Sequence, residues 1–250
     1  MTGDTLLKVE SLMKAYGGVQ AVFDVSFDIK KGDFLGIIGP NGSGKSTLVN
    51  LITGFVKPDS GSVFYMGRDI TGKKPYTIAN LGIGRTFQMA KAFHGLSAFK
   101  NLIIPLFSPR VRRSRGGQYG ERDDVAIDLL EEVGFERDSA VPFKTAGNLP
   151  HGYLKRLELA RCMALKPDLV IMDELFSGMS MAEVAGTLPV VEKLKIEGTT
   201  LIMIEHRLKE LFRVVNRVIV LNYGQKIADG PPGEVMETRE VKKAYLGSEE

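Results

Sequence analysis

The sequence predicts an α/β protein with a mainly parallel sheet covered by helices. Short apolar segments, which are typical of buried parallel strands, recur at residues 34–38, 169–172, 201–204 and 218–221. Segments with helical spacing of apolar residues alternate with them, including residues 182–195. A chain of 250 residues is long enough to bury a large core.

A glycine-rich segment follows the first of these strands. Residues 39–47 are GPNGSGKST and match the phosphate-binding pattern G-x-x-x-x-G-K-[ST], and a helix is predicted at residues 46–53. The backbone amides of such a loop and the N-terminus of the next helix both favour a polyphosphate. Lys45 would contact the β- and γ-phosphates, and Ser46 would bind Mg²⁺. The expected phosphate-loop residues are Gly39, Pro40, Asn41, Gly42, Ser43, Gly44, Lys45, Ser46 and Thr47.

Antiparallel strands are predicted around the phosphate-loop strand. Residues 6–10 form a strand, residues 14–18 a turn, and residues 22–29 a half-buried strand in which apolar and polar residues alternate. A further strand is predicted at residues 62–66. These segments indicate a β-rich edge.

A helical insertion is predicted between residues 90 and 165. Helical spacing occurs at residues 96–106, 125–133 and 154–165. The Arg- and Gly-rich residues 108–124 are interpreted as a solvated, mobile loop. An alternative hypothesis is that Arg110, Arg112, Arg113 and Arg115 contact anionic lipid headgroups.

Composition excludes several classes of function. Lys and Arg total 33 and Asp and Glu total 30, a net charge of +3 that gives no reason to expect nucleic-acid binding. Cys162 is the single cysteine, so an internal disulfide is excluded and a packed thiol is expected. No segment approaches the roughly 18 to 20 apolar residues that span a bilayer. Any membrane role would therefore require docking to another chain.

Polar residues at strand ends carry the expected chemistry. Asp173 and Glu174 end an apolar strand, where Asp173 would hold Mg²⁺ and Glu174 would activate water. His206 follows another strand and would contact the γ-phosphate. Gln88 would reach the metal or the water, and Tyr16, expected before the first β-hairpin, would stack on adenine.

Together these residues resemble the motifs of ABC transporter ATP-binding subunits over essentially the whole chain. Tyr16 matches the adenine-stacking position, residues 39–47 the Walker A loop, and Gln88 the Q-loop. Residues 169–174 match Walker B with its catalytic glutamate, residues 177–181 the D-loop, and His206 the switch histidine. The resemblance implies an ATPase that uses ATP and Mg²⁺. It assigns the binding of Mg²⁺ to Ser46, Gln88 and Asp173.

The resemblance also implies the architecture. It predicts one nucleotide-binding domain over residues 1–250, with a P-loop NTPase (RecA-like) core, an antiparallel β subdomain and an inserted helical subdomain. The core and β subdomain would occupy about residues 1–89 and 166–250, and the helical subdomain about residues 90–165. Transmembrane permease subunits would hold the protein peripherally at the cytoplasmic face of the cell membrane.

Within this family the chain is most similar to the ATPases of branched-chain amino-acid importers. The relevant segments are residues 84–88 (GRTFQ), 156–161 (RLELAR) and 244–247 (AYLG). The expected function is therefore ATP hydrolysis that powers import of branched-chain or related amino acids or amides. The tail and core are also similar to the lipopolysaccharide-export ATPase, which makes a lipid or lipopolysaccharide exporter the alternative.

The chain departs from the family pattern at the LSGGQ signature, which binds the nucleotide of the opposite subunit. The aligned signature segment is Leu149, Pro150, His151, Gly152 and Tyr153. Pro150 has no N–H and Tyr153 replaces a glutamine, while Leu175 and Ser180 depart at the positions after the catalytic glutamate and in the D-loop. We therefore expect a dimer with a second ATP-binding subunit, and favour a heterodimer with one strong and one weak site.

Two other functions fit the sequence less well. A non-transport ABC protein of translation or DNA repair commonly has two cassettes or long coiled-coil insertions, which this chain lacks. A regulatory subunit with weak ATPase activity is favoured by the altered signature segment and opposed by the intact Glu174 and His206.

Overall fold

The computed structural model describes residues 5–88, 91–114 and 122–246. Its strands are β1 (Thr5–Tyr16), β2 (Val19–Lys30), β3 (Phe34–Ile38), β4 (Ser60–Tyr65), β5 (Arg68–Asp69), β6 (Ile83–Arg85), β7 (Leu169–Asp173), β8 (Thr200–Ile204), β9 (Arg217–Asn222) and β10 (Gln225–Gly230). Its α-helices are α1 (Lys45–Ile52), α2 (Pro75–Leu81), α3 (Ala98–Leu106), α4 (Pro109–Ser114), α5 (Arg122–Glu132), α6 (His151–Met163), α7 (Met181–Ile196), α8 (Leu208–Val214), α9 (Pro232–Glu237) and α10 (Arg239–Leu246). Short 3₁₀ turns cover Val141–Phe143 and Ala146–Asn148.

The chain divides into two compact units. The first unit comprises Met1–Ile78 and Gly198–Glu250, and the second comprises Ala79–Glu197. The predicted division into a core, a β subdomain and a helical subdomain at about residues 90–165 stays a prediction.

The first unit contains an antiparallel sheet with the strand order β2-β1-β4-β5. β1 pairs with β2 on one side and with β4 on the other, and both pairings are antiparallel. In β2, buried Val25, Phe27 and Ile29 alternate with more exposed residues, so one face of the strand lies against the core. This sheet confirms the predicted antiparallel β subdomain.

The first unit also contains β3 between β8 and β9, and both neighbours run parallel to it. β10 pairs antiparallel with β9 at the far side. Every residue of β3 and β8 is buried, as expected for parallel strands with both faces covered. The continuous apolar segments in the sequence therefore identified these strands correctly.

The second unit combines the parallel pair β6–β7 with helices α3 to α7. Helix α3 follows Ser97, whose side chain accepts a hydrogen bond from the Lys100 amide at 3.2 Å. Helix α7 begins with a capping box, in which Ser180 and Glu183 each bond to the other's backbone amide. Local capping signals therefore set the starts of two of these helices.

The predicted turn at residues 14–18 is wrong in part, because β1 continues to Tyr16. Lys14, Ala15 and Tyr16 pair with β2, and the chain reverses at Gly17 and Gly18, whose φ angles are 52° and 89°. Two successive residues with positive φ suit a tight hairpin turn. Tyr16 therefore lies within the first hairpin rather than before it.

The interpretation of residues 108–124 as a solvated loop is also wrong in part. Residues 109–114 form α4 and α5 begins at Arg122, while Arg115 and the residues up to 121 lie outside the described part of the chain. Arg110 donates to the backbone carbonyls of Leu81, Leu165 and Lys166, and forms an ion pair with Asp168 at 2.8 Å. A planar guanidinium with five N–H donors can satisfy several loop carbonyls at once. The lipid hypothesis is therefore not supported for Arg110.

Two sequence predictions concern the membrane and the thiol. In the described part of the chain, none of the helices has the length and apolar character needed to cross a bilayer. Cys162 is buried, and this burial raises the pKa of its thiol to about 12. The expected packed thiol is confirmed.

Candidate functional site

The phosphate loop connects β3 to α1 in the first unit. A Cβ at Gly39 would lie 2.1 Å from the carbonyl oxygen of Leu221, and a Cβ at Gly44 would lie 2.1 Å from that of Ala21. Both glycines also have positive φ angles, 151° and 101°. Only glycine fits these positions, because any side chain would collide with neighbouring backbone.

The loop holds polar groups that suit an anion. Lys45 is buried, and its Nζ donates to the carbonyls of Gly39 at 2.8 Å and Pro40 at 2.9 Å. Oγ of Ser43 is buried and has no hydrogen-bond partner among the described residues. Gly44 caps α1 without a side-chain hydrogen bond, which leaves the N-terminal amides of that helix to a ligand. The loop therefore fits a phosphate group.

His206 lies at the same edge of the sheet as the phosphate loop. β3 and β8 run parallel, and Ile37 is paired with Ile204. Gly39 lies two residues after Ile37, and His206 lies two residues after Ile204. Both therefore lie beyond the carboxyl ends of adjacent strands. The His206 side chain is exposed. The first unit therefore brings this histidine to the edge where a nucleotide would bind.

Two tyrosines of the first unit concern the phosphate-loop region and its predicted ligand. Tyr16 ends β1 with 48% of its surface exposed, and Nζ of Lys14 lies 5.5 Å from its ring centroid. Tyr245 in α10 was not predicted as a site residue. Burial raises the pKa of Tyr245 to about 12, an effect opposed by a hydrogen bond from the backbone of Gly39. Tyr245 lies in the tail segment at residues 244–247 that carries part of the family resemblance, and this segment could have pointed to it. Gly247 lies outside the described residues.

In the second unit, Asp173 is held by two residues of the segment that follows Gly84. Its Oδ2 accepts a hydrogen bond from Nη2 of Arg85 at 2.8 Å, and its backbone amide donates to Oγ1 of Thr86 at 3.4 Å. Both members of the ion pair are buried. Arg85 was not predicted as a partner of Asp173, although it lies within residues 84–88 (GRTFQ).

Glu174 and Gln88 lie together in the second unit. Nε2 of Gln88 donates to Oε2 of Glu174 at 2.8 Å. The backbone of Glu174 has φ of 52°, in the left-handed region that non-glycine residues rarely adopt. Strain of this kind is common at functional sites, where the surrounding structure must stabilise it.

The signature segment forms the start of α6. Pro150 is the N-cap residue and provides no side-chain hydrogen bond, whereas Leu149 is buried. A Cβ at Gly178 would lie 2.9 Å from the His151 ring, so this ring lies against the glycine. Tyr153 packs edge-on against Phe135, with ring centroids 5.0 Å apart. Tyr153 is therefore a packing residue of this unit.

The departures near the D-loop also have structural roles. Leu175 is buried, and Ser180 caps α7 through Glu183. Hydrogen bonds from the backbone and hydroxyl of Ser180 lower the pKa of the Glu183 carboxyl. Oε1 of Glu183 approaches Gly152 so closely that a Cβ there would lie 1.9 Å away. The Glu183 carboxylate thus lies against Gly152 and accepts hydrogen bonds from Ser180.

The predicted residues therefore form two local sets. The first unit brings together the phosphate loop and His206, with Tyr16 at the end of β1. The second unit brings together Asp173, Glu174 and Gln88. Arg85, Lys155 and Tyr245 also contact these sets and were not predicted from the sequence.

Comparison with known proteins identifies the family. The ABC transporter family model matches residues 22–177. The high-affinity branched-chain amino acid transport ATP-binding protein LivG of Salmonella typhimurium is 34% identical over 256 residues, which is 97% of this chain and 98% of that protein.

Solved structures agree with this assignment. A nucleotide-free ATP-binding cassette from an ABC transporter has a TM-score of 0.85 and 32% identity, and the match covers 98% of this chain and 100% of that one. A dimeric ATP-binding cassette in a post-hydrolysis state with ADP and Pi has a TM-score of 0.80 and 26% identity, with 91% and 99% covered. The chain therefore belongs to the ABC transporter family, as an ATP-binding protein that hydrolyses ATP for transport.

Proposed function

We propose that this chain powers an importer of branched-chain or related amino acids or amides. The full-length similarity to LivG supports this substrate class. The observation that carries the proposed catalysis is the 2.8 Å hydrogen bond between Gln88 and Glu174, because it joins the proposed general base to an amide that can orient water.

Nucleotide binding is assigned to the first unit. Tyr16 presents an exposed ring for adenine, and the amides of residues 39–47 hold the phosphates. Lys45 would release the carbonyls of Gly39 and Pro40 and turn its ammonium toward the β- and γ-phosphates. The orphaned Oγ of Ser43 supports this assignment, because a buried hydroxyl without a partner is costly unless a ligand satisfies it.

Mg²⁺ is proposed as the cofactor, with Ser46, Gln88 and Asp173 as the residues that would hold it. Hydroxyl, amide and carboxylate oxygens are the donor types that this cation prefers. Bound there, the ion would neutralise charge on the transferred phosphate. The exposed Ser46 hydroxyl at the start of α1 fits this role.

Hydrolysis is assigned to Glu174, His206 and Gln88. The Glu174 carboxylate would take the proton of the attacking water, while the Gln88 amide holds that carboxylate in place. His206 would contact the γ-phosphate from the end of β8. Little covalent chemistry is required of the protein, so positioning of these groups supplies most of the catalysis.

The proposed partners are transmembrane permease subunits and a second ATP-binding subunit, at the cytoplasmic face of the cell membrane. Exposed Phe93, Phe107 and Phe143 in the second unit suit contacts with a permease. A heterodimer is favoured, because Pro150 offers no amide and Tyr153 is engaged with Phe135. These changes would weaken only the site that holds the partner's nucleotide.

The same two departures support one alternative, a regulatory subunit with weak ATPase activity. The intact pair of Gln88 and Glu174 opposes it. The alternatives differ in whether this chain's own glutamate supports turnover.

The test is uptake by the purified transporter in proteoliposomes. This chain would be expressed with its permease and partner ATPase, and ATP-dependent uptake of labelled leucine would be measured with and without excess isoleucine, valine or amides as competitors. The proposal expects uptake that Lys45→Ala abolishes. Turnover of ATP without uptake of any of these compounds, or co-purification with lipopolysaccharide-export permeases, would contradict the proposed substrate.

A further inference from the structure

Lys155 is a lysine in the interior of the second unit, one turn into α6. Only 1% of its surface is exposed. Lysine is rarely buried to this extent unless its ammonium is hydrogen bonded, because desolvating the charge is costly. The contacts of its Nζ therefore indicate what the residue does.

Nζ of Lys155 donates to backbone carbonyls from two separate segments. It contacts the carbonyl oxygen of Gln88 at 2.5 Å and that of Phe87 at 3.4 Å. It also contacts the carbonyl oxygen of Glu174 at 3.1 Å. One ammonium thus joins the backbone of residues 87–88, the Gln88 segment, to the backbone of Glu174. The side chains of Gln88 and Glu174 are themselves hydrogen bonded at 2.8 Å.

The contact to Glu174 falls on a strained residue. Its φ of 52° is unfavourable for any residue other than glycine. Contacts from the surrounding structure must therefore stabilise this backbone conformation. The carbonyl that Lys155 binds belongs to this same residue, and it also accepts from the Ser177 amide at 3.2 Å. Lys155 and the turn to Ser177 together hold the backbone in the conformation that directs the carboxylate toward Gln88.

Glu158 provides a second link between α6 and the Gln88 segment. Oε1 of Glu158, three residues after Lys155 on α6, accepts from the amides of Phe87 at 3.1 Å and Lys91 at 3.4 Å. The Gln88 segment is therefore bound to α6 through its carbonyls by a lysine and through its amides by a glutamate. Both side chains are buried.

We infer that Lys155 is a positioning residue for ATP hydrolysis, which holds the Gln88 and Glu174 backbones so that their side chains meet. The inference rests on the proposed roles of those two side chains. We assign Lys155 no role in binding nucleotide, because its three hydrogen bonds described above go to backbone carbonyls of the second unit. Its loss should therefore lower the rate of hydrolysis and leave nucleotide affinity unchanged.

The test compares Lys155→Met with Lys155→Arg in the purified transporter complex. Methionine keeps the length and most of the volume but removes every donor, whereas arginine keeps the charge and several donors. Lys193→Met is the matched control, because Lys193 is an exposed lysine of the same unit that pairs with Glu132. If Lys155→Met does not fold, Lys155→Gln replaces it under the same criteria.

For Lys155→Met we expect kcat to fall about tenfold or more, with KM for ATP changed less than about twofold. Lys155→Arg should recover most of the rate, and Lys193→Met should behave as wild type. The inference is overturned if Lys155→Met turns over at the wild-type rate. It is also overturned if Arg fails to rescue and KM rises as kcat falls, since that pattern indicates general damage to packing.

Amide hydrogen exchange of the nucleotide-free chain provides a second readout that does not depend on ATPase activity. Lys155→Met should speed exchange at residues 174–179 and at residues 87 and 88, with strands β3 and β8 unaffected. If the wild-type complex does not hydrolyse ATP, the proposed function fails while this experiment still tests Lys155. Unchanged exchange at residues 174–179 would contradict the inference even in an active complex.

Discussion

Nη2 of Arg85 donates to Oδ2 of Asp173 at 2.8 Å, and the two side chains are only 8% and 7% exposed. The pair connects the end of β6 to the end of β7, adjacent strands of a parallel pair. Asp173 is the proposed Mg²⁺ ligand, so the arginine fixes the carboxylate in place by one oxygen. A buried carboxylate that lost this partner would be left without a compensating charge.

Arg85→Met should lower the free energy of unfolding by about 3–5 kcal/mol, because it leaves Asp173 buried and unpaired. The double variant with Asp173→Asn should lose less free energy of unfolding than the two single variants lose in sum, because asparagine has no charge that requires a partner. Urea unfolding of the four chains measures both effects. Arg137→Met, which removes an exposed arginine paired with Asp128 and Glu131, should change stability little. Additive effects of Arg85→Met and Asp173→Asn would contradict the pairing.

Gly152→Ala should break the capping box of α7, because a Cβ at Gly152 would displace the Glu183 carboxylate that bonds to Ser180. The expected loss is about 1 kcal/mol, similar to that of Ser180→Ala, and the two changes should not add. Urea unfolding of both single variants and the double variant checks this. Gly186→Ala is the control, because a Cβ at Gly186 in α7 would meet nothing within 4 Å. It should be neutral or stabilising. Equal effects of the Gly152 and Gly186 changes would contradict the contact.

Glu158 should make stability depend on pH. Burial raises the pKa of its carboxyl to about 7, against hydrogen bonds from Lys91 and Phe87 that lower it. The folded state therefore binds this proton more tightly than the unfolded state, so stability is greatest at low pH and falls as pH rises from about 4.5 to 7. The full difference corresponds to about 3 kcal/mol.

The measurement for Glu158 is urea unfolding at pH 5 and pH 7.5, for wild type and Glu158→Gln. Wild type should lose more stability between the two pH values than the variant does, because glutamine does not titrate. Contributions from other titrating groups are common to both chains and cancel in the comparison. The same change with pH in both chains would show that Glu158 is not the cause.

Much of this architecture follows from local sequence signals. The apolar strands β3, β7 and β8 were predicted within about one residue, because both of their faces are buried and polar residues are excluded from them. The phosphate loop was identified because its glycines must avoid the backbone of Leu221 and Ala21. Such constraints act on consecutive residues and are therefore visible in the sequence.

The missed contacts join residues that are distant in the chain. Lys155 is 67 residues from Gln88, and Arg85 is 88 residues from Asp173, so no local pattern pairs them. Arg110 was assigned to solvent because its neighbours are polar, yet it satisfies carbonyls of two other segments. Tyr16 was placed in a turn because glycines follow it, whereas pairing with Val19 keeps it in β1. Tertiary contacts decided each case.

We propose that this chain's own glutamate, Glu174, drives ATP turnover for transport. The most direct measurement is the ATPase rate of the reconstituted complex with Glu174→Gln in this subunit and an unchanged partner, with nucleotide affinity measured alongside it. We expect a loss of turnover of about a hundredfold or more with affinity retained, because the general base is lost and the phosphate loop is intact. Turnover at the wild-type rate would contradict it.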